Sequence, residues 1–150
     1  ELMQIDNAKA IAEYNFLGLG NTAMRTAKLP SHVNFDKNTL AIDWLLFSRV
    51  LRKVVNVCFT SDTFIFYRQH EKNIVGRKDI TLEKYKREFK VKLNHYTILA
   101  EEDEVFKKLA IKYQLIAPKV EMMDSDEMKE YFINIERPFW WEEIQLCKYN

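Results

Sequence analysis

Apolar positions along this chain change their repeat from one stretch to the next. Leu40, Trp44, Phe47 and Leu51 recur at three- and four-residue intervals. They fall within about a quarter turn of one another on a helix, with Ser48, Arg49 and Arg52 pointing elsewhere. The spacing predicts a core-facing helix over 39–52. Val54 to Phe59 is a short β-branched run, Thr60-Ser61-Asp62 reads as a turn, and Thr63 to Tyr67 is a second β-rich run, which predicts two adjacent short strands. Upstream, Asn7–Tyr14 has the look of a polar helix. Gly18 and Gly20 then precede Asn21, Thr22, Ala23, Met24 and Arg25, and Pro30 ends that segment.

Past Gly76 the sequence becomes charged and takes up a helical period, so the chain divides into residues 1–76 and residues 77–150. Leu82, Tyr85, Phe89, Leu93, Tyr96 and Ala100 form one helical stripe. Phe106, Leu109, Ala110, Tyr113 and Ala117 form another, which Pro118 is expected to stop. Asp124 and Glu127 have capping-box spacing and open a short third helix whose Met128, Phe132 and Ile135 share a face. Pro138 breaks that helix, and Phe139-Trp140-Trp141 follow, aromatics that commonly pack a helix onto its domain. The fold class expected from this pattern is α+β, with short strands followed by a helical tail.

A chain of 150 residues suits one compact domain, or one domain with an appendage. Its 23 basic and 22 acidic residues leave a net charge of +1, so no global field draws it to nucleic acid or anionic lipid, and any partner has to be read locally. With only three Gly and three Pro it is not a low-complexity sequence. No apolar run is long enough to span a bilayer and no secretory leader pattern is present, so a cytoplasmic location, soluble or peripheral to the inner face of the membrane, is expected. Cys58 and Cys147 lie far apart without ligand-spaced partners, which speaks against a zinc site or a disulfide framework. The first residue is Glu1 rather than Met, consistent with a processed form or a piece of a longer protein.

Asp43 is the most informative acid. It sits in the first turns of an apolar helix, and the positions three and four away, Thr39, Leu40, Leu46 and Phe47, supply no cation. Burial there would raise its pKa and suit it to accept a proton, although capping or orienting a nearby loop is the structural alternative. Tyr67-Arg68-Gln69-His70 leaves a β-like run for a loop containing Asn73 and Gly76. An Arg at such an exit can grip phosphate, and a neutral His two residues on can share its side and meet a metal or a phosphate. Gly18 and Gly20 match neither the dinucleotide fingerprint nor the phosphate loop, and a turn is their default reading. The cations at 84, 86, 87, 90 and 92 spread around the helix with Glu83 and Glu88 among them, the pattern of a solvated helix rather than a nucleic-acid interface. His32 and His95 are isolated and receive no role.

In order along the chain, the segments from Asn15 to Arg25, Ile42-Asp43-Trp44-Leu45, and Phe66-Tyr-Arg-Gln-His-Glu-Lys-Asn-Ile-Val-Gly76 resemble the later half of a family 2 glycosyltransferase. The resemblance covers roughly residues 15–76 and implies the C-terminal, acceptor-side part of a GT-A (α/β) domain, with a variable helical tail. It implies that Asp43 is the general base of an inverting sugar transfer. Arg68 and His70 would engage the diphosphate of a nucleotide-diphosphate sugar, and His70 its Mg²⁺ or Mn²⁺. Asn21, Met24, Arg25 and Asn73 would line the donor or acceptor pocket, and Trp44 would support or border the sugar site. The acceptor would be a glycan or lipid-linked hydroxyl, in bacterial surface polysaccharide synthesis. The only Asp-x-Asp is Asp124-Ser125-Asp126, in a helix-cap setting, so the metal-bearing nucleotide half is not within these residues, and the chain alone is expected to turn over little. The tail could provide membrane-surface or oligomer contacts. A rival reading is a non-catalytic α+β protein-interaction module.

Overall fold

The computed structural model describes residues 2–29, 31–53, 57–66 and 81–130. Two compact units divide the chain at Ile74 and Val75. Four α-helices and a two-stranded antiparallel sheet make the described part a small α+β protein.

In the first unit, strand β1 (Leu2–Ile5) pairs antiparallel with β2 (Val57–Thr60), Leu2 facing Thr60 and Ile5 facing Val57. This corrects the expectation of two strands adjacent in sequence. The partner of β2 comes from the start of the chain, and residues 63–66 carry no strand. A four-residue strand holds too little alternation to name its partner, so the nearest β-rich run was the natural candidate. Just after β1 comes a 3-10 turn, Ala8–Ile11, capped by Asn7, whose side chain accepts from the Lys9 amide at 2.9 Å. The longer helix expected over Asn7–Tyr14 does not form. Asn15 folds its amide onto Leu17, accepting from the Leu17 amide at 3.0 Å and donating to the Leu17 carbonyl at 2.6 Å, a local turn that competes with helix.

Helix α1 runs Ile42–Leu51. It begins later than the spacing predicts, because the Asp36 carboxylate and carbonyl draw the Asn38 and Thr39 amides into a turn just upstream. Leu40, placed in the core by its spacing, is therefore outside the helix and 61% exposed. The buried arc of α1 is broad, taking in Trp44, Leu45, Phe47, Val50, Leu51 and also Ser48, which was expected to face away.

In the second unit, Thr81 caps α2 (Leu82–Leu99) by accepting from the Lys84 amide at 3.2 Å. Asp103 caps α3 (Glu104–Met122) by accepting from the Val105 amide at 2.9 Å. The connection between them is short, and Tyr96 meets Phe106 while Phe89 stacks on Tyr113 at 5.1 Å, so the two helices run antiparallel. At the far end, the Lys86 ammonium donates to the Glu121 carbonyl at 2.7 Å and Lys90 pairs with the Glu121 carboxylate at 2.9 Å. Asp124 then caps α4 (Ser125–Glu130), receiving the Asp126 and Glu127 amides at 2.9 Å, and Met128 is buried. Phe132, Ile135, the aromatic run 139–141 and Cys147 lie outside the described residues.

Pro118 does not stop α3, which continues to Met122. The amide it lacks would have bonded the carbonyl of Gln114, an exposed residue on the solvent side, where water can satisfy that oxygen. Nor is the charged face of α2 wholly solvated. Glu88, Lys92 and His95, spaced to share one side of the helix, are all buried. Among the described residues no helix is long and apolar enough to cross a membrane.

Candidate functional site

The start of α1 has an unusual cap. Ala41, at the cap position, has no side-chain acceptor, and the Asp43 carboxylate takes over from inside the first turn by accepting from the Trp44 amide at 2.8 Å. Its own amide bonds it as well, and the two bonds favour the ionised form. Burial opposes them and prevails, so the carboxyl of Asp43 is held above the ordinary carboxylate value. The group thus caps the helix from within its first turn, the structural role weighed from the sequence, while its carboxyl is partly desolvated.

Trp44 fixes where that carboxyl stands. The indole is fully buried, and its Nε1–H donates to the Ile11 carbonyl at 2.7 Å across 33 residues of chain. A buried bond of that kind ties the first turn of α1 to the 3-10 turn at Ala8–Ile11. With no exposed surface, Trp44 can support a ligand site through the helix it anchors but cannot itself border a sugar.

Four residues beyond Ile11 begins the glycine-containing loop, within about 14 Å of chain reach of the indole's partner. Its conformation is held by side-chain amides rather than by regular structure. The Asn21 Oδ1 accepts from the Gly18 amide at 2.6 Å, and its Nδ2 donates to the Phe16 carbonyl at 3.1 Å. A Cβ added at Gly18 would come 3.3 Å from that Asn21 oxygen, whereas one at Gly20 would meet nothing within 4 Å. The ring of Phe16 meets Phe59 of β2 edge-on at 5.7 Å, so the loop leans on the sheet. Asn21 is therefore engaged within its own loop, while Met24 and Arg25 are exposed, Arg25 just ahead of a second 3-10 turn, Thr26–Lys28.

Named bonds thus link Asp43 and Trp44 to the 3-10 turn at Ala8–Ile11, and the loop carrying Asn21 follows that turn along the chain. Arg68, His70 and Asn73 lie outside the described residues. Among the described residues no three His, Cys, Asp or Glu side chains are grouped so as to hold a metal ion, so none is assigned as a ligand for Mg²⁺ or Mn²⁺.

The polar residues that the sequence reading passed over are in α2. The Glu88 carboxylate lies 4.0 Å from Lys84 and 3.9 Å from Arg87, and the His95 ring meets Tyr96 at 5.7 Å and Phe106 at 5.6 Å, both edge-on. The signal available beforehand was the spacing of 88, 92 and 95, which repeats by a helical turn on one side. Charge counting around the whole helix hid it.

No protein-family model, curated protein or solved structure matches this chain.

Proposed function

We propose that residues 1–76 form the acceptor-side half of a family 2, GT-A inverting glycosyltransferase, working with a nucleotide-binding half to move a sugar from a nucleotide-diphosphate donor onto a glycan or lipid-linked hydroxyl. The observation that supports this most directly is Asp43, a carboxyl raised by burial and held at the start of α1 by the bonded Trp44. In the proposed step, Asp43 takes the proton of the acceptor hydroxyl as its oxygen attacks the anomeric carbon. The bond from that carbon to the diphosphate breaks, and the nucleoside diphosphate leaves with the electron pair, inverting the configuration. Arg68 and His70 would hold the departing diphosphate, and a Mg²⁺ or Mn²⁺ would supply charge stabilisation there. Asn73, Met24 and Arg25 would line the pocket, with Asn21 fixing the loop.

The test uses the protein joined to its nucleotide-binding half. Asp43→Asn should lower kcat by about 10²–10⁴-fold while leaving the affinity for uridine or thymidine diphosphate with Mn²⁺ unchanged in calorimetry. Retained turnover would remove Asp43 from the base role. His70→Ala should weaken the metal-dependent binding, and unchanged affinity would leave His70 a structural residue. The rival reading, a non-catalytic α+β interaction module, draws on Phe64, Ile65 and Phe66, an exposed apolar run whose two rings meet edge-on at 5.2 Å. A folded protein that binds neither diphosphate would favour it.

A further inference from the structure

The outer side of α3 is apolar where a solvated helix should be polar. Ile111 is 50% exposed, Leu115 58% and Met122 83%, and Pro118 between them is exposed too. These four fall within about 60° of arc on the helix, opposite the face formed by Phe106, Tyr113 and Val120 that packs inward. Cations border this ridge along its length. Lys108, Lys112 and Lys119 stand on one flank and Lys107 on the other. No ion pair joins Lys108 or Lys112 to an acid among the described residues. The nearest acids are engaged, Glu104 with Lys107 at 3.8 Å, Glu121 with Lys90 at 2.9 Å and Glu127 with Lys119 at 3.6 Å, so Lys108 and Lys112 are the flank cations that decide what the ridge can meet.

We infer that this ridge of α3 lies on an anionic lipid surface, with Ile111, Leu115 and Met122 entering the headgroup boundary and the flanking lysines meeting lipid phosphates and carboxylates. The charge pattern selects this occupant. A second copy of the chain would bring the same lysines face to face, and like charges would oppose the contact. A partner helix would have to bring its own acids into register with Lys108 and Lys112 while seating the ridge. A bilayer demands no such register. It accepts a convex apolar ridge, lets lysine stems extend alongside it, and attracts each ammonium separately. The near-neutral net charge of the chain makes this attraction local to α3. No residue of the proposed transferase site takes part, so this inference stands or falls independently of that reading.

Co-sedimentation of the whole chain with phosphatidylcholine vesicles, with and without phosphatidylserine at about one lipid in three, tests it. Binding should require phosphatidylserine and weaken as salt is raised. The double variant Lys108→Glu, Lys112→Glu should bind at least about tenfold more weakly. Leu115→Glu should abolish binding, and because all three positions are exposed, the circular dichroism melts should match wild type. A folded wild type that ignores anionic vesicles overturns the inference, as does binding indifferent to both variants. A dimer in sedimentation velocity that Leu115→Glu dissolves would assign the ridge to a second copy and overturn it equally.

Discussion

Asp43 shows how one side chain can carry opposing demands. Its carboxylate caps α1 through the Trp44 amide, yet burial raises its pKa above the ordinary value of 3.8. A carboxyl whose folded pKa exceeds its unfolded one binds protons more readily in the folded state. Ionisation therefore penalises folding at neutral pH, and the penalty fades as the pH falls through the folded value toward the unfolded one. Asp43→Asn keeps an acceptor oxygen for the Trp44 amide and removes the charge. Thermal melts should show the variant more stable than wild type at pH 7, with the advantage gone below 3.8. A variant less stable at pH 7 would mean that the hydrogen bonds to the charged form outweigh its desolvation. The position of Asp43 and the lack of a helical cation beside it could be read from sequence. The part played by its neighbour could not, because the carbonyl that Trp44 bonds lies 33 residues away.

Among the elements, α1 and α3 are each held by a feature that local rules weigh differently. Trp44 joins α1 to the 3-10 turn before the glycine loop. Trp44→Phe keeps most of the apolar bulk but strands the Ile11 carbonyl, and should cost about 1–3 kcal/mol in urea unfolding. A negligible loss would mean that water reaches that oxygen once the indole is gone. In α3, proline in a helix interior normally costs about 3 kcal/mol, partly offset by the freedom it removes from the unfolded chain. Pro118→Ala should therefore stabilise the protein by about 2–2.5 kcal/mol, read from the same unfolding curves. The helices at 42–51, 82–99 and 104–122 were legible because ten or more residues repeat a period. Their ends were less so, since the turn at Asp36 delays α1 and the bonds of Lys86 and Lys90 at Glu121 support the end of α3 beyond its proline. Likewise, charge placement marked α2 as solvated, while its packing buries Glu88, Lys92 and His95.

For the whole molecule, the division into Glu1–Ile74 and Val75–Asn150 implies separate stability. Phe106 is buried between α3 and the Tyr96 and His95 rings of α2, so Phe106→Ala should cost the second unit about 3–5 kcal/mol. Amide hydrogen exchange followed by mass spectrometry should then accelerate across residues 82–122 and stay unchanged over 42–51 and 57–60. Acceleration in all of these would show a single cooperative unit instead. The sequence by itself determined that helices lie around 42–51, 82–99 and 104–122, that Asp124 caps a short helix, and that the second half is amphipathic, because these rest on contacts between residues a few positions apart. Only the tertiary structure decided that β2 pairs with the start of the chain, that Trp44 grips Ile11, that Ser48 and the polar stripe of α2 are buried, and that a face of α3 is left apolar and open. Each of those depends on which distant segments meet, and a period along the chain records that a residue has a buried side without recording what covers it.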